Sequence, residues 1–386
     1  MESQKFLGKI NSWKGTYDAI RNNVYRKVNE ESKKPQERKK MKQIRKGNLE
    51  ILKIFCVIAI IMYHYIIHGG MENVTTTLGN KVIIFICSNI GKIASNTFVL
   101  ITGFFLFKFK FKIEKILKII VELFFYSILV NLIIVVILKE PTYLNYLIYS
   151  FTPIFFKVHW FAVAYIGMYF LIPFIKPALD KLAKEDYLII LVVLGTVLSI
   201  IPSIISVLYG INSIEPFGES ITLLYIAMIG GYISKFNLCI FKKKKYNLIA
   251  IVLSFIFFSL INQLRTTNSV FVIILSILII DLFLKLNVKN NKLINFFSSS
   301  SLGVLLLHDN VFFNKIMWIK IFNTQAYYYV SAFKLLLHIV LCVLNIYIIG
   351  SVIDYIRRNT METLLSKWLD NNDVLNKINT IFNFEK

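Results

Sequence analysis

The segment NLEILKIFCVIAIIMYHYIIHGG, residues 48–70, constrains this chain more than any other. It is apolar and long enough to cross a bilayer as one helix, which takes about 20 residues. It nevertheless contains four ionisable side chains, Glu50, Lys53, His64 and His68. At about 100° of rotation per residue, the other three lie within roughly 40° of His64, so the four form one stripe. Because ionisable groups in hydrocarbon usually face a bundle interior or a water-filled cavity, the stripe predicts a functional site.

The composition indicates a polytopic membrane protein. Of the 386 residues, 56% are hydrophobic and 17% are charged, which is typical of chains with several membrane spans. The net charge of +22 could indicate a nucleic-acid-binding protein. Lys and Arg cluster between the apolar segments, however, as the positive-inside rule describes. We therefore expect membrane lipid, and no nucleic acid, as a partner. The cysteines are scattered without paired spacing, and no metal site is predicted.

The apolar segments predict an all-α polytopic fold with about ten transmembrane helices. The Lys-rich loops fall on the side of the N-terminus, together with Arg357 and Arg358 after the last span. Basic loops mark the cytoplasmic side, so we expect both the N and the C terminus to be cytoplasmic. The predicted spans are 49–68, 82–106, 116–138, 159–176, 187–208, 219–235, 247–264, 269–286, 298–315 and 331–356.

The spans divide the chain into three predicted parts. Residues 1–47 form a basic cytoplasmic tail, residues 48–356 a ten-helix membrane domain, and residues 357–386 a cytoplasmic amphipathic tail.

His64 is the strongest candidate for chemistry. A lone histidine near the end of a span can be a packed or interfacial residue, but the charged neighbours on its stripe favour function. A neutral imidazole can accept a proton from a hydroxyl as that hydroxyl attacks an acyl group. Lys53 lies about 16 Å away along the helix and places a cation near its cytoplasmic end. His68 is closer to the water and favours an interfacial role.

Further polar residues lie in other apolar segments. In SSSSLGVLLLHDN (298–310), His308 is followed by Asp309, and such a pair inside a span favours function. His159 is weak support for a site by itself, and His338 favours a packed or hydrogen-bonded histidine.

The third span begins with basic residues. Lys115, Lys118 and Glu122 share one helix face. They form either a basic flank that reaches towards the headgroups or an anion-binding face suited to phosphates.

Five blocks occur along the chain in a fixed order: NLEILK with His64 eleven residues after Lys53, FVLITGFFL (98–106), the basic FKIEKILK (111–118), HWFAVAYIGMYFLIPFI (159–175) and SLGVLLLHDN (301–310). Their ordered combination resembles the membrane acyltransferase-3 family, in the branch associated with bacterial surface-polysaccharide modification. The resemblance covers roughly residues 46–355.

This resemblance implies about ten spans and the transfer of an acyl group, usually acetyl, from cytoplasmic acetyl-CoA to a surface glycan or a lipid-linked sugar. It implies a catalytic role for His64, with Glu50 at the family's acidic position. Lys53 stands where the family usually has arginine, which keeps the charge but loses the bidentate fork. His308 and Asp309 match the closing histidine motif of the family.

The hypothesis is therefore an integral membrane O-acetyltransferase of a bacterial plasma membrane. The alternative is a polysaccharide exporter of the same fold without acyl chemistry, in which the stripe lines a pathway. Partners that fit the first function include other glycan-synthesis proteins. The residues expected in catalysis are His64, Glu50, His308 and Asp309. The residues expected to bind the acyl-CoA are Lys53, Lys115 and Lys118.

Overall fold

The computed structural model describes residues 46–107, 111–139, 144–211, 214–370, 372, 374–375 and 378–379, and within them it contains helices and loops but no strand. The predicted tail at 1–47 lies almost entirely outside this part of the chain. The longer helices are, in chain order, α1 (Gly47–His68), α2 (Leu78–Leu106), α3 (Ile113–Ile137), α4 (Leu144–Phe151), α5 (Trp160–Lys181), α6 (Lys184–Tyr209), α7 (Glu219–Phe236), α8 (Lys244–Ser259), α9 (Val270–Leu284), α10 (Lys292–Ser299), α11 (Ser301–His308) and α12 (Ala332–Arg357).

Six of these helices are long and apolar enough to cross a membrane, namely α1, α2, α3, α5, α6 and α12. The helix α9 is strongly apolar but has only 15 residues. The all-α polytopic membrane fold is therefore confirmed. The number of ten spans stays a prediction, as does the side on which the termini lie.

The predicted span 298–315 is not one helix, and this prediction of its boundaries was wrong. α10 ends at Ser299, Ser300 leaves the helical path with φ −91° and ψ 1°, and α11 ends at His308. Four consecutive serines explain the break, because serine side chains compete with the helix for backbone groups. The hydroxyl of Ser300 donates to the carbonyl of Phe296 at 3.1 Å and accepts from Nη2 of Arg358 at 2.9 Å.

α1 is the central helix of the bundle. It packs against α2, α9, α10, α11 and α12. Its side chains Leu49, Ile61 and Tyr65 have no exposed area. A helix with so many neighbours can hold polar side chains away from lipid, which is what its stripe requires.

α2 also crosses α7 at very short range. A Cβ built on Gly103 would lie 2.0 Å from the carbonyl oxygen of Ala227, and one on Gly230 would lie 2.2 Å from that of Leu100. Only glycine permits this approach, and small residues at crossings let membrane helices pack closely. α2 also packs along α1, and it supplies one wall of the site described next.

Candidate functional site

Two predicted histidines from distant parts of the sequence meet inside the bundle. Nδ1 of His64 on α1 lies 3.0 Å from Nε2 of His308 at the end of α11. Nδ1 of His308 lies 2.7 Å from the carbonyl oxygen of Val304. Both histidines are buried.

The hydrogen bonds fix the tautomers of the two neutral rings. A carbonyl oxygen only accepts, so Nδ1 of His308 must hold the proton in that bond. Nε2 of neutral His308 is then an acceptor, and Nδ1–H of His64 donates to it. The remaining nitrogen of His64, Nε2, is left with a free lone pair. The arrangement therefore presents His64 as a base, with His308 orienting it.

Asp309 faces the free nitrogen of His64. Its Oδ1 lies 3.7 Å from Nε2 of His64 and 3.9 Å from Nε2 of His68. A carboxylate at this distance stabilises an imidazolium that forms when His64 accepts a proton. His68, which the sequence favours as interfacial, is thus a second histidine beside the carboxylate of Asp309.

The backbone at Asp309 is held from two sides. Nδ1 of His159 lies 3.1 Å from the carbonyl oxygen of Asp309, so this nitrogen donates to it. The amide nitrogen of Asn314, in the orientation that satisfies both ends of the amide, donates to the carbonyls of His308 at 2.9 Å and Asn310 at 3.2 Å. His159 and Asn314 thus position the His308–Asp309 pair.

A cavity of about 190 Å³ opens beside these groups. His64, His68 and Asp309 line it together with Lys92 and Trp160. Nζ of Lys92 lies 5.0 Å from the centre of the Trp160 ring, and no ion pair to this ammonium occurs in the described part of the chain. The cavity therefore combines a base, a carboxylate and a cation.

Tyr63 forms another wall of the cavity and depends on a glycine. A Cβ built on Gly91 of α2 would lie 2.3 Å from Cγ of Tyr63, so the ring fits only because position 91 has no side chain. The ammonium of Lys92 lies 6.0 Å from the centre of the Tyr63 ring. The packing of α1 on α2 thus sets the width of the cavity.

Glu50 and Lys53 lie away from this cavity. Fourteen residue steps lead from Glu50 to His64, which is about 21 Å along α1. Nζ of Lys53 lies 3.2 Å from Oε1 of Glu50 and 5.4 Å from the centre of the Phe105 ring. The four residues share one face of α1, but Glu50 and Lys53 lie at one end of the helix and only His64 and His68 line the cavity. The structure does not bring Glu50 to the catalytic candidates.

Lys118 and Glu122 of α3 are occupied by ion pairs. Nζ of Lys118 lies 3.3 Å from Glu362, and Glu122 lies 3.2 Å from Nη2 of Arg357. Arg357 also pairs with the fully buried Asp354 at 2.9 Å. The face that the sequence predicted as a phosphate site is thus partly filled by the chain's own carboxylates.

Lys115 differs from Lys118. Within the described ranges, no ion pair or side-chain hydrogen bond involves its ammonium, and none joins it to Glu50 or Lys53. Its ammonium is therefore available to an anion, whereas that of Lys118 is shared with Glu362.

Sequence reasoning missed Lys92. It lies in the middle of the predicted span 82–106, and an ionisable residue there was itself a signal. Its neighbours in the cavity come from α1, α5 and the end of α11, so no periodicity within α2 pointed to a role. The predicted role of His338 fits its surroundings, since its Nδ1 lies 2.7 Å from the hydroxyl of Tyr65 and its ring stacks on Tyr327.

His64, His68 and Asp309 also form a group that could hold a metal ion, because one ligand atom from each lies within 4.8 Å of the others. Histidine nitrogen and carboxylate oxygen suit zinc, which lies about 2.0–2.2 Å from each of its ligand atoms. The separations of 3.7 and 3.9 Å between the carboxylate oxygen and the two histidine nitrogens also suit a carboxylate that simply lies beside two imidazoles. The geometry alone fits both chemistries, and chelation distinguishes them.

The family model Acyl_transf_3, described as an acyltransferase domain, matches residues 46–355, which is most of the chain. No curated protein and no solved structure matches this chain. The matched range contains His64, Lys92, His308 and Asp309.

Proposed function

Because this chain belongs to the Acyl_transf_3 family of acyltransferases, as its sequence blocks predicted, we propose that it transfers an acetyl group to a hydroxyl of a cell-surface polysaccharide or of its lipid-linked precursor. The family and the apolar helices make it a multi-pass membrane acyltransferase. We further propose four specifics: the acetyl group, the CoA donor, the glycan acceptor and the bacterial plasma membrane. The observation that supports it best is the free Nε2 of His64, directed by His308 beside a cavity.

In the proposed reaction, Nε2 of His64 removes the proton from the acceptor hydroxyl. The hydroxyl oxygen attacks the thioester carbonyl carbon, and the C–S bond breaks as the new C–O ester bond forms. The departing thiolate takes the proton back from His64, which leaves CoA as a thiol. A base that holds and returns one proton in this way contributes about 10²–10⁴ in rate.

Two neighbours of His64 support this cycle. Asp309, 3.7 Å from Nε2, stabilises the imidazolium between the two proton transfers. Lys92 lines the same cavity and supplies a positive charge for the oxyanion that develops on the thioester carbonyl. Groups that are already in place in a water-poor site stabilise such charge at little reorganisation cost.

The donor is proposed to enter from the end of α1 at which Glu50 and Lys53 lie. Lys53 and Lys115 are the cations proposed to meet the phosphates of CoA, while Lys118 would first have to exchange Glu362 for a phosphate. Glu50 holds Lys53 at 3.2 Å and is proposed to orient it. From Lys53 the acyl end must then extend about 16 Å along α1 to reach His64, as the long pantetheine arm of CoA allows.

The test is an assay of the purified protein in lipid nanodiscs with acetyl-CoA labelled in the acetyl group. The proposal predicts consumption of the thioester and the appearance of label in extracted glycan or glycolipid. The exporter alternative predicts neither hydrolysis nor transfer, and that result would overturn the proposal. Glycan from a deletion strain, compared by mass with wild-type glycan, identifies the acceptor.

A further inference from the structure

A buried ionic cluster lies beside the first residues of α11 and takes no part in the proposed reaction. The carboxylate of Asp354 has no exposed area and accepts from the hydroxyl of Tyr126 at 3.2 Å. Its two oxygens also pair with guanidinium groups, Oδ1 with Arg357 at 2.9 Å and Oδ2 with Arg358 at 2.8 Å. Nη2 of Arg357 lies 3.2 Å from Glu122. These five residues, here called the anchor cluster, join α3 to α12 and to the residue that follows α12.

Stability alone does not explain such a cluster. Taking charged groups out of water is costly, and a buried ion pair often adds no net stability over apolar side chains of similar volume. The best-attested use of buried ionic groups is to fix one register between packed elements. The use of the anchor cluster therefore depends on which element it holds in place.

The element that the anchor cluster holds is α11. Nη2 of Arg358 donates to the hydroxyl of Ser300 at 2.9 Å, directly before α11 begins. Gly303 lies so close to the cluster that a Cβ built on it would be 2.4 Å from the hydroxyl oxygen of Tyr126 and 2.6 Å from Oδ1 of Asp354. The cluster thus contacts the start of α11 through one hydrogen bond and one close approach of its backbone.

α11 connects the anchor cluster to the two histidines. It is a single helix of eight residues, about 12 Å long, and it packs against α1, α3 and α12. His308 is its last residue, and the bond from Nδ1 of His308 to the carbonyl of Val304 lies within the same helix, so the ring moves together with α11. Nε2 of His308 accepts from Nδ1 of His64 at 3.0 Å. A shift of α11 along its axis, or a rotation about it, would therefore open this hydrogen bond.

We infer that the anchor cluster positions His308, and through it the proposed base, with the hydrogen bond from Arg358 to Ser300 as the link to α11. His159 and Asn314 hold the backbone at the opposite end of α11, so the helix is fixed at both ends. Arg358 and Ser300 are therefore positioning residues, which act through the helix. This role rests on the proposed function and extends it to the groups that set the distance between its two histidines.

The test measures kcat and the KM for labelled acetyl-CoA in nanodiscs, with glycan or glycolipid extracted from a deletion strain as the acceptor. Arg358→Met and Ser300→Ala remove the link from its two sides. Each should lower kcat by up to about 10²-fold, the cost of displacing an active group by about 1 Å, and leave the KM for acetyl-CoA unchanged. Arg358→Lys keeps the charge beside Asp354 but loses the fork that also reaches Ser300, so it should recover part of the loss.

A double variant shows whether the loss acts through His308. In a His308→Leu background, Arg358→Met should lower kcat no further, because the ring that it positions is gone. Lys285→Met is the matched control, since it breaks a mostly buried ion pair of the same four-residue spacing, to Asp281 of α9, and it should leave kcat unchanged. An unchanged kcat in Arg358→Met or in Ser300→Ala, an equal fall in Lys285→Met, or a further loss in the His308→Leu background would overturn the inference.

Amide hydrogen exchange separates the anchoring of α11 from the proposed function. Exchange in residues 301–308 should be faster in Arg358→Met than in wild type and in Lys285→Met, whether or not acetyl transfer occurs. Faster exchange of this pattern, without thioester use by wild type, would contradict the proposed function and leave the anchoring standing. Thioester use by wild type with unchanged exchange in Arg358→Met would contradict the anchoring alone.

Discussion

Replacing His308 with leucine removes the acceptor of the Nδ1–H of His64, which lies 3.0 Å away. A buried donor left without a partner costs about 1–3 kcal/mol. His64 can avoid this cost by moving its proton to Nε2, where Asp309 is 3.7 Å away, but that tautomer has no lone pair towards the cavity. In both cases the population of His64 that has a lone pair on Nε2 falls by a factor set by this same free energy. At about 1.4 kcal/mol per factor of ten, kcat should fall roughly 5- to 150-fold.

The assay is steady-state transfer from labelled acetyl-CoA in nanodiscs, with the KM for the donor measured beside kcat. His308→Gln is the conservative variant, since its amide oxygen can accept from His64, and it should recover part of the loss. His338→Leu is the matched control, because His338 bonds to Tyr65 at 2.7 Å outside the cavity. A His308→Leu enzyme with wild-type kcat, or a His338→Leu enzyme with the same loss, would refute the orienting role of His308.

Three other results follow from the cavity. Gly91→Ala forces the Tyr63 ring aside at an overpacking cost of about 1–3 kcal/mol. It should lower both transfer and melting temperature, and this effect should vanish in a Tyr63→Ala background. Equal effects in both backgrounds would place the strain elsewhere. Lys92→Met should lower kcat about 10²- to 10³-fold with the fold retained. Lys81→Met, at an exposed position of the same helix, should have no effect. An unchanged kcat in Lys92→Met would exclude a role of Lys92 at the oxyanion. Treatment with a chelator should leave transfer unchanged, and loss of activity that zinc restores would show that His64, His68 and Asp309 hold a metal.

The sequence predicted the parts of the candidate site better than their arrangement. His64, His308 and Asp309 each stood out as costly polar residues in apolar segments. Their meeting could not be predicted, because α1 and α11 are separated by more than 200 residues of chain. At Ser300, where one helix ends and the one that leads to His308 begins, the hydroxyl accepts a hydrogen bond from Arg358, which is also far away in the sequence.

The surroundings of other predicted residues could not be predicted either, for identifiable physical reasons. Angular position on a helix placed Glu50 and His64 on one stripe, but the axial rise separates them by about 21 Å. The basic flank of α3 looked free, yet the partner of Lys118 is Glu362, far along the chain. Lys92 had no periodic neighbour on α2, since its cavity is built from other helices.

The proposed function depends above all on Nε2 of His64 as the base for acyl transfer. Its most direct test is His64→Gln, purified in nanodiscs and supplied with labelled acetyl-CoA and the acceptor that wild type uses. Glutamine keeps a hydrogen-bond donor near His308 and fills much of the same volume, so the melting temperature should stay close to that of wild type. We expect loss of transfer with the protein folded. Transfer at the wild-type rate by this variant would contradict it.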